Sequence, residues 1–441
     1  MKKKFGFLLL LILGFLIFNR HQAFSQGPPE RKIVVFKSGV TREKKISLLS
    51  GYQATLGKDL HLINGMAVAL PRLMAEKLAG EAAVLRIDPD VEVFALPQVK
   101  EQGFCDWFPN WPGCRVTPTL TPTPTPTNKP TSTPTPTPDP ILTTTPTLTP
   151  TPTSGVLQPI PWGVARIRTP EAWGISTGAE IRIAVIDTGV NRSHPDLRNN
   201  LVLEGCLNFI TFRKTCEDDN GHGTHVSGII AAENNSFGVV GVAPQSKIYA
   251  LKVLNRNGSG YLSDIIEALD WAVNKQMQVV NMSLGTSSDV QSFREAVQKA
   301  NQAGLIQIAA AGNSGGAVIY PAAYPEVIAV SAVDNTDSLA SWSSRGSEID
   351  LAAPGVNIYS TYKNQSYKTL SGTSMASPHV AGVVALLLAR SEKCDFDASG
   401  ACSPAEVRQR LEMTAQDLGV PGKDDFYGAG LVNAEAAVTA P

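Results

Sequence analysis

The chain has 441 residues, 43% of them hydrophobic and 17% charged, with 38 Lys and Arg against 39 Asp and Glu. A formal net charge of −1 with both signs mixed offers neither the basic stripe of a nucleic-acid binder nor a polycationic face for an acidic membrane surface. Nucleic acid and membrane lipid are therefore not expected partners.

Met1-Lys-Lys-Lys opens the chain, and Phe5 to Phe18 then runs without a charge. About 14 apolar residues are too few to cross a bilayer comfortably and suit the central region of a signal peptide. Ala23-Phe-Ser25 supplies small residues for cleavage. Residues 1–25 are thus expected to direct export, leaving a secreted, extracellular protein without membrane attachment; an uncleaved anchor is the alternative.

Residues 31–96 alternate strand, helix, strand, strand, helix, strand. Lys32-Ile-Val-Val-Phe36 opens the unit, Ser47-Leu-Leu-Ser-Gly-Tyr52 and Leu73-Met-Ala-Glu-Lys-Leu78 are helical, and Val84 to Phe94 closes it. About 65 residues can just support a core. Residues 97–157 differ in kind. Cys105-Asp-Trp-Phe-Pro-Asn-Trp-Pro-Gly-Cys114 reads either as a stapled packing element or as a binding loop, and Val116 to Thr153 is almost purely Thr and Pro. Such a tract buries no core and extends as polyproline II, about 3.1 Å per residue and on the order of 100 Å in all. The six cysteines form close sequence pairs, Cys105 with Cys114, Cys206 with Cys216, and Cys394 with Cys402. In an exported chain these read as local disulfides, although six cysteines permit fifteen connectivities.

Three later segments carry chemistry. Ile181-Arg-Ile-Ala-Val-Ile186 is an apolar run of the kind buried in a parallel sheet. It delivers Asp187-Thr-Gly at the carboxyl end, where open α/β sheets place their sites. Gly221-His222-Gly-Thr-His225 opens a helical pattern, with glycines leaving the His222 imidazole room. Gly372-Thr-Ser374-Met-Ala-Ser-Pro opens an almost wholly apolar helix, with Pro378 expected in its first turn. Taken singly, Asp187 reads as a turn or cap residue, His225 as a core histidine and Ser374 as an N-cap. Together Asp187, His222 and Ser374 supply an acid, a base and a nucleophile. His222 and His225 share an H-x-x-H spacing, but no H-E-x-x-H and no third ligand accompany them, which disfavours zinc. Ala310-Ala-Gly-Asn313 adds an amide that can donate to an oxyanion beside the Ser374 backbone N–H.

In the order Asp, His, Ser, these motifs resemble those of the subtilisin-type serine peptidases, or subtilases. His194-Pro-Asp-Leu, Gly241-Val-Ala-Pro and Val279-Val-Asn-Met-Ser-Leu-Gly285 carry the similarity further, from Gln158 to the C-terminus. The resemblance implies a doubly wound, mostly parallel α/β sheet over residues 158–441, and the alternating strand and helix patterns agree independently. It implies a secreted endopeptidase that hydrolyses proteins or peptides through an acyl-enzyme. Ser374 would be the nucleophile, His222 the general base, Asp187 its orienting carboxylate and Asn313 the oxyanion donor. Residues 31–96 are similar to the inhibitor-type propeptides of subtilases, small ferredoxin-like α+β domains. That implies a monomeric zymogen whose own propeptide is the intramolecular inhibitor. The rival expectation is an exported non-catalytic binding protein using this fold and the Trp-rich loop; loss of a triad residue would favour it, and none is lost.

Asn234-Asn-Ser-Phe-Gly-Val-Val-Gly241 is similar to the calcium loop of subtilisins, and Gln158 and Asp196 match its partner positions. The resemblance implies a structural calcium ion held by Gln158, Asp196, Glu233, Asn235, Phe237 and Val239, and oxygen-only ligation suits a hard cation. Asp395-Phe-Asp397-Ala-Ser399-Gly400, with Glu406 twelfth, has the spacing of an EF-hand loop; against it, Ser403-Pro-Ala-Glu406 reads as a capping box.

The substrate pocket is expected between Ser283-Leu284-Gly285 and Ala310-Ala311-Gly312, small-residue walls that let an extended peptide pair on both sides. Ile319 is expected to shorten it and to favour Ala, Val or Leu over Phe or Tyr. Relatives cut at the end of the inhibitor domain, here Leu96, but Pro97 follows and disfavours a scissile bond there. The cut is expected within Gln98 to Gly103 or near Leu157-Gln158.

Overall fold

The computed structural model describes residues 28–96, 158–211 and 215–441. The signal segment, the Cys105/Cys114 loop, the Thr/Pro tract, Pro97 to Gly103 and Leu157 lie outside the described residues.

The N-terminal unit runs β1 (Pro29–Phe36), α1 (Arg42–Gly51), β2 (Thr55–Leu60), β3 (Gly65–Pro71), α2 (Arg72–Leu78) and β4 (Val84–Pro89). Its sheet has the order β2-β3-β1-β4 with antiparallel neighbours, the ferredoxin-like α+β arrangement. Period-two alternation divides its strands between two cores. Val34, Phe36, Val68 and Leu70 pack with Leu49 of α1 and Leu78 of α2, whereas Ile33, Val35 and Ala67 turn the other way, toward the larger part of the chain. The closing segment, expected as one strand, divides at Asp90. Its second half, β5 (Glu92–Ala95), leaves the N-terminal sheet altogether.

The larger part contributes β6 (Arg182–Asp187), β7 (Leu207–Asn208), β8 (Lys247–Lys252), β9 (Ser259–Tyr261), β10 (Val279–Met282), β11 (Leu284–Gly285), β12 (Ile306–Ala310), β13 (Val327–Val333) and β14 (Ile349–Pro354). Seven of these form one sheet in the order β14-β13-β12-β10-β6-β8-β7, every neighbouring pair parallel. Its principal helices are α3 (His222–Ala231), α4 (Leu262–Asn274), α5 (Gln291–Gln302) and α6 (Thr373–Leu388). Alternate strand residues face opposite layers: Ile183, Val185 and Ile308 join α3 and α6, while Ala184, Ile186 and Val280 join α4 and α5. This is the doubly wound sheet the sequence implied. Disulfides join Cys206 to Cys216 and Cys394 to Cys402.

Candidate active site

Asp187 is the last residue of β6 and His222 the first of α3, so a strand end meets a helix start. His222 Nδ1 lies 2.8 and 2.9 Å from the two Asp187 carboxylate oxygens, and both side chains are buried. That contact assigns the proton to Nδ1. Burial disfavours the imidazolium, but the Asp187 carboxylate, with a smaller share from Asp218, outweighs it and lifts the His222 pKa above its ordinary 6.5. Nε2 has no hydrogen-bond partner among the described residues. His225 is a core histidine: its Nε2 faces the carbonyls of Lys368 at 2.9 Å and Ile358 at 3.1 Å, and burial pushes its pKa down to about 3.

Ser374 is the second residue of α6. Gly372 is the N-cap, so the Ser374 side chain does not cap; its hydroxyl donates to the Ser283 carbonyl at 3.1 Å. Pro378 stands at the sixth helical position rather than in the first turn. Its missing N–H would have bonded to the Ser374 carbonyl one turn back. The Ser283 hydroxyl takes that place, donating to Ser374 O at 2.9 Å, and accepts from Asn281 Nδ2 at 3.0 Å. The proline thus releases a carbonyl that ties the helix start to the substrate edge.

Asn313 follows β12. Its Oδ1 accepts from Thr373 N at 2.9 Å and Thr373 Oγ1 at 2.8 Å, which fixes the amide orientation. A Cβ on Gly372 would lie 3.1 Å from Asn313 Nδ2 and 3.7 Å from Ser374 N, so glycine there keeps a space flanked by both donors. Two donors converging beside a hydroxyl suit a developing oxyanion.

The expected pocket walls come together. A Cβ on Gly285 would lie 2.5 Å from Ile319 Cδ1, and one on Gly312 would lie 3.4 Å from Ile319 Cγ1, so Ile319 stands between them. Along this edge runs β5, the middle strand of a three-stranded antiparallel sheet, β11-β5-β9. Ala95 pairs with Leu284, Phe94 with Gly285, and Ala95 N donates to Gly258 O at 2.7 Å. The register sets Leu96, buried at 6% exposure, opposite Ser283, the residue bonded to Ser374. Asp90 explains why the closing strand breaks. Its carboxylate accepts from Ser263 N at 2.8 Å and Ser263 Oγ at 2.9 Å at the start of α4, and pairs with Arg31 at 2.7 Å.

The calcium-loop residues also gather. Gln158 Nε2 lies 2.9 Å from Glu233 O, 2.7 Å from Val239 O and 3.5 Å from Asn235 Oδ1, so three oxygens face one point. Asp196 Oδ1 accepts from Asn235 Nδ2 at 3.1 Å, and its Oδ2 accepts from Val239 N at 2.9 Å and Tyr367 Oη at 2.8 Å. Phe237 joins through its N–H, which donates to Asn235 Oδ1 at 3.3 Å. The Asp196 carboxylate, Asn235 Oδ1 and the Glu233 and Val239 carbonyls supply oxygens that suit a hard cation, whereas Gln158 turns Nε2 toward them and its Oε1 accepts from Asn235 N at 2.9 Å. In the other loop, the Asp395, Asp397 and Glu406 oxygens lie within 4.8 Å of one another. Glu406 there completes the capping box with Ser403 and also accepts from Phe396 N and Asp397 N.

Sequence reasoning assigned no role to Thr188 and Thr373, which lie inside the Asp187 and Ser374 motifs, and missed Asp218, which lies outside them. The turn-forming run Asp218-Asp-Asn-Gly221 just before His222 was the available signal.

Fold and site together define a serine endopeptidase of the subtilisin type. The chain matches the Subtilase family over residues 178–430 and belongs to it. It is 47% identical over 284 residues to the thermostable alkaline protease of Halalkalibacterium halodurans, covering 64% of this chain and 74% of that protein. It is 45% identical over 282 residues to the M-protease of Shouchella clausii, covering 64% and 70%. To Subtilisin Savinase of Lederbergia lenta it is 44% identical over 282 residues, covering 64% and 99%.

Proposed function

We propose that this chain is exported as a self-inhibited zymogen and acts outside the cell on protein or peptide substrates, as a monomer. Ser374 is the nucleophile: its hydroxyl proton passes to His222 Nε2 as Oγ attacks the scissile carbonyl, and Asp187 steadies the imidazolium. Asn313 Nδ2 and the Ser374 N–H receive the oxyanion. His222 then returns the proton to the leaving amine, and water hydrolyses the acyl-enzyme by the same route. For attack, the Ser374 hydroxyl exchanges its bond to Ser283 O for one to His222.

The observation that carries this reading is β5. An extended peptide segment already lies between β9 and β11 with a buried leucine opposite Ser283. That geometry fits β-strand addition by a substrate and fits residues 31–96 acting as the inhibitor. It also favours a medium apolar side chain before the scissile bond. Titration with a serine-directed fluorophosphonate tests the assignment: matured protein should label at Ser374, and no labelling would sink the enzyme role.

Pro97 argues that the docked strand is not cut at Leu96. Processing instead falls within Gln98 to Gly103 or near Leu157-Gln158. N-terminal sequencing of the secreted wild type beside Ser374→Ala decides: a wild-type start at Pro97 overturns the proposal, and identical starts in both reveal another protease.

Gln158, Asp196, Glu233, Asn235, Phe237 and Val239 would hold a structural calcium ion, which supplies cross-linking rather than chemistry. A ligand at a hundred times its dissociation constant adds about 2.7 kcal/mol. At this chain length EDTA should therefore lower Tm by roughly 3–5 °C; an unchanged Tm refutes the site.

A further inference from the structure

We propose that Asp218 is a positioning residue for the Asp187–His222 pair, fastening the exit of β6 to the first turn of α3. The proposal rests on the triad reading above. Asp218 is 5% exposed and its carboxylate accepts five hydrogen bonds. Oδ1 takes Thr188 Oγ1 at 2.9 Å, Asn220 N at 3.0 Å and Gly221 N at 2.8 Å; Oδ2 takes Thr224 N at 2.9 Å and Thr224 Oγ1 at 2.6 Å. Thr188, next to Asp187, also accepts from Gly223 N at 2.9 Å. One carboxylate therefore grips the residue after the acid, the turn before the base and the turn after it.

The chemistry requires this because a helix's first N–H groups lack intrahelical partners. Gly221, the N-cap of α3, has no side chain to offer them. Asn220 Oδ1 takes the His222 N–H at 3.1 Å, while Thr188 and Asp218 take those of Gly223 and Thr224 and so tie the first turn of α3 to the residue after Asp187. Asp218 is itself held: its N–H donates to Val190 O at 3.2 Å, and Val190 N donates to Cys216 O at 2.9 Å, beside the Cys206–Cys216 disulfide. An asparagine would turn an N–H₂ group toward these donors.

The other charged and titratable groups around the pair are accounted for. Asp187 faces His222 directly, His225 is buried on backbone carbonyls, and Lys252 pairs with Asp219 while donating to Thr188 O. Glu217 accepts from Asn191, Tyr362 Oη donates to Asn220 O at 3.1 Å, and Lys363 Nζ donates to Asp219 O at 3.0 Å. Removing the Asp218 charge thus withdraws one negative charge near the imidazole and adds none. His222 works as a base when neutral, so a lower imidazole pKa moves the acid limb of the rate profile to lower pH.

The test uses the full chain with Asp218→Asn and, separately, Thr188→Val, measuring kcat and KM against pH on a peptide substrate, with active sites counted by fluorophosphonate titration. Asp218→Asn should lower kcat per titrated site by roughly tenfold or more. KM should stay within about twofold, and the acid limb of kcat/KM should move down. Loss of folded protein alone would reduce the titre and leave that limb in place. Thr188→Val should lower kcat without moving the limb. An Asp218→Asn enzyme with wild-type kcat per site and an unmoved limb overturns the proposal. If that variant yields no matured protein, Thr188→Val decides: kcat within about threefold of wild type overturns it, and a larger loss supports it. Failure of wild-type Ser374 to label is a different result, which sinks the triad reading instead.

Discussion

The catalytic centre and the contact that covers it are made of opposite materials. Asp187, Ser283 and Ser374 have no exposed surface, and the polar groups around them, His222 Nε2 excepted, are satisfied by one another. The N-terminal unit docks through main-chain pairing of β5, flanked by ion pairs that water reaches. Arg86 and Glu295 are each 22% exposed, and Arg31 and Lys58 keep 43% and 21%, although their partners Asp90 and Asp264 are buried at 1% and 5%. Closed buried networks hold a single geometry, and losing one member strands its partners. Exposed pairs contribute about 0–1 kcal/mol each and weaken with salt. The first arrangement is suited to persist through many turnovers and the second to let go once the connecting chain is cut, as the proposed zymogen would require.

The contrast is tested most severely at Asn313. Asn313→Ala removes the proposed oxyanion donor and leaves the N–H and hydroxyl of Thr373 without their acceptor. Turnover should fall roughly a hundred- to a thousand-fold, the loss measured for the corresponding asparagine in subtilisin, with KM little changed. A fall below about tenfold would mean that the buried centre tolerates damage as well as the rim does, and the contrast would fail.

Ile319 stands between the two materials, half-buried against Gly285 and Gly312. Ile319→Ala should deepen the pocket and raise the ratio of cleavage after Phe to cleavage after Leu by on the order of tenfold. Matched peptides measured by kcat/KM check this. An unchanged ratio would show that another group sets the pocket depth.

How much of this was legible in the sequence follows from the range of the interactions. Asp187, His222 and Ser374 sit where periodic apolar patterns begin or end beside small residues, so strand exit and helix entry could be read locally. The alternation in residues 31–96 gave the N-terminal sheet for the same reason. The break at Asp90 was not legible because its cause, Ser263 at the start of α4, lies far along the chain. Pro378 was misplaced because α6 begins at Thr373 and the carbonyl it releases is taken by Ser283, from a different strand segment. Asp218 stands in the turn-forming run Asp218-Asp-Asn-Gly221, where nothing local singles it out. Only folding shows that five donors meet on it.

The smallest expected effect sharpens the comparison from the outer side. Arg86 bonds to Asp88 at 2.9 Å and, across the contact, to Glu295 of α5 at 2.5 Å, with both ends of the latter pair 22% exposed. Deleting it should raise the population of undocked β5 by the value of one exposed pair, about 0.2–1 kcal/mol or up to roughly fivefold. Fluorophosphonate reaches Ser374 only when the strand is away, so its labelling rate on unprocessed chain reads that population directly. Arg86→Ala should accelerate labelling by this factor. Glu295→Ala should do the same, and the double variant should add little, because each change removes the same bond. In about 1 M salt, where screening acts over roughly 3 Å, the wild-type rate should rise toward that of the variants. An acceleration well beyond tenfold, or one indifferent to salt, would mean that this pair belongs with the buried network. The distinction between a centre built to last and a cover built to leave would then have to be drawn elsewhere.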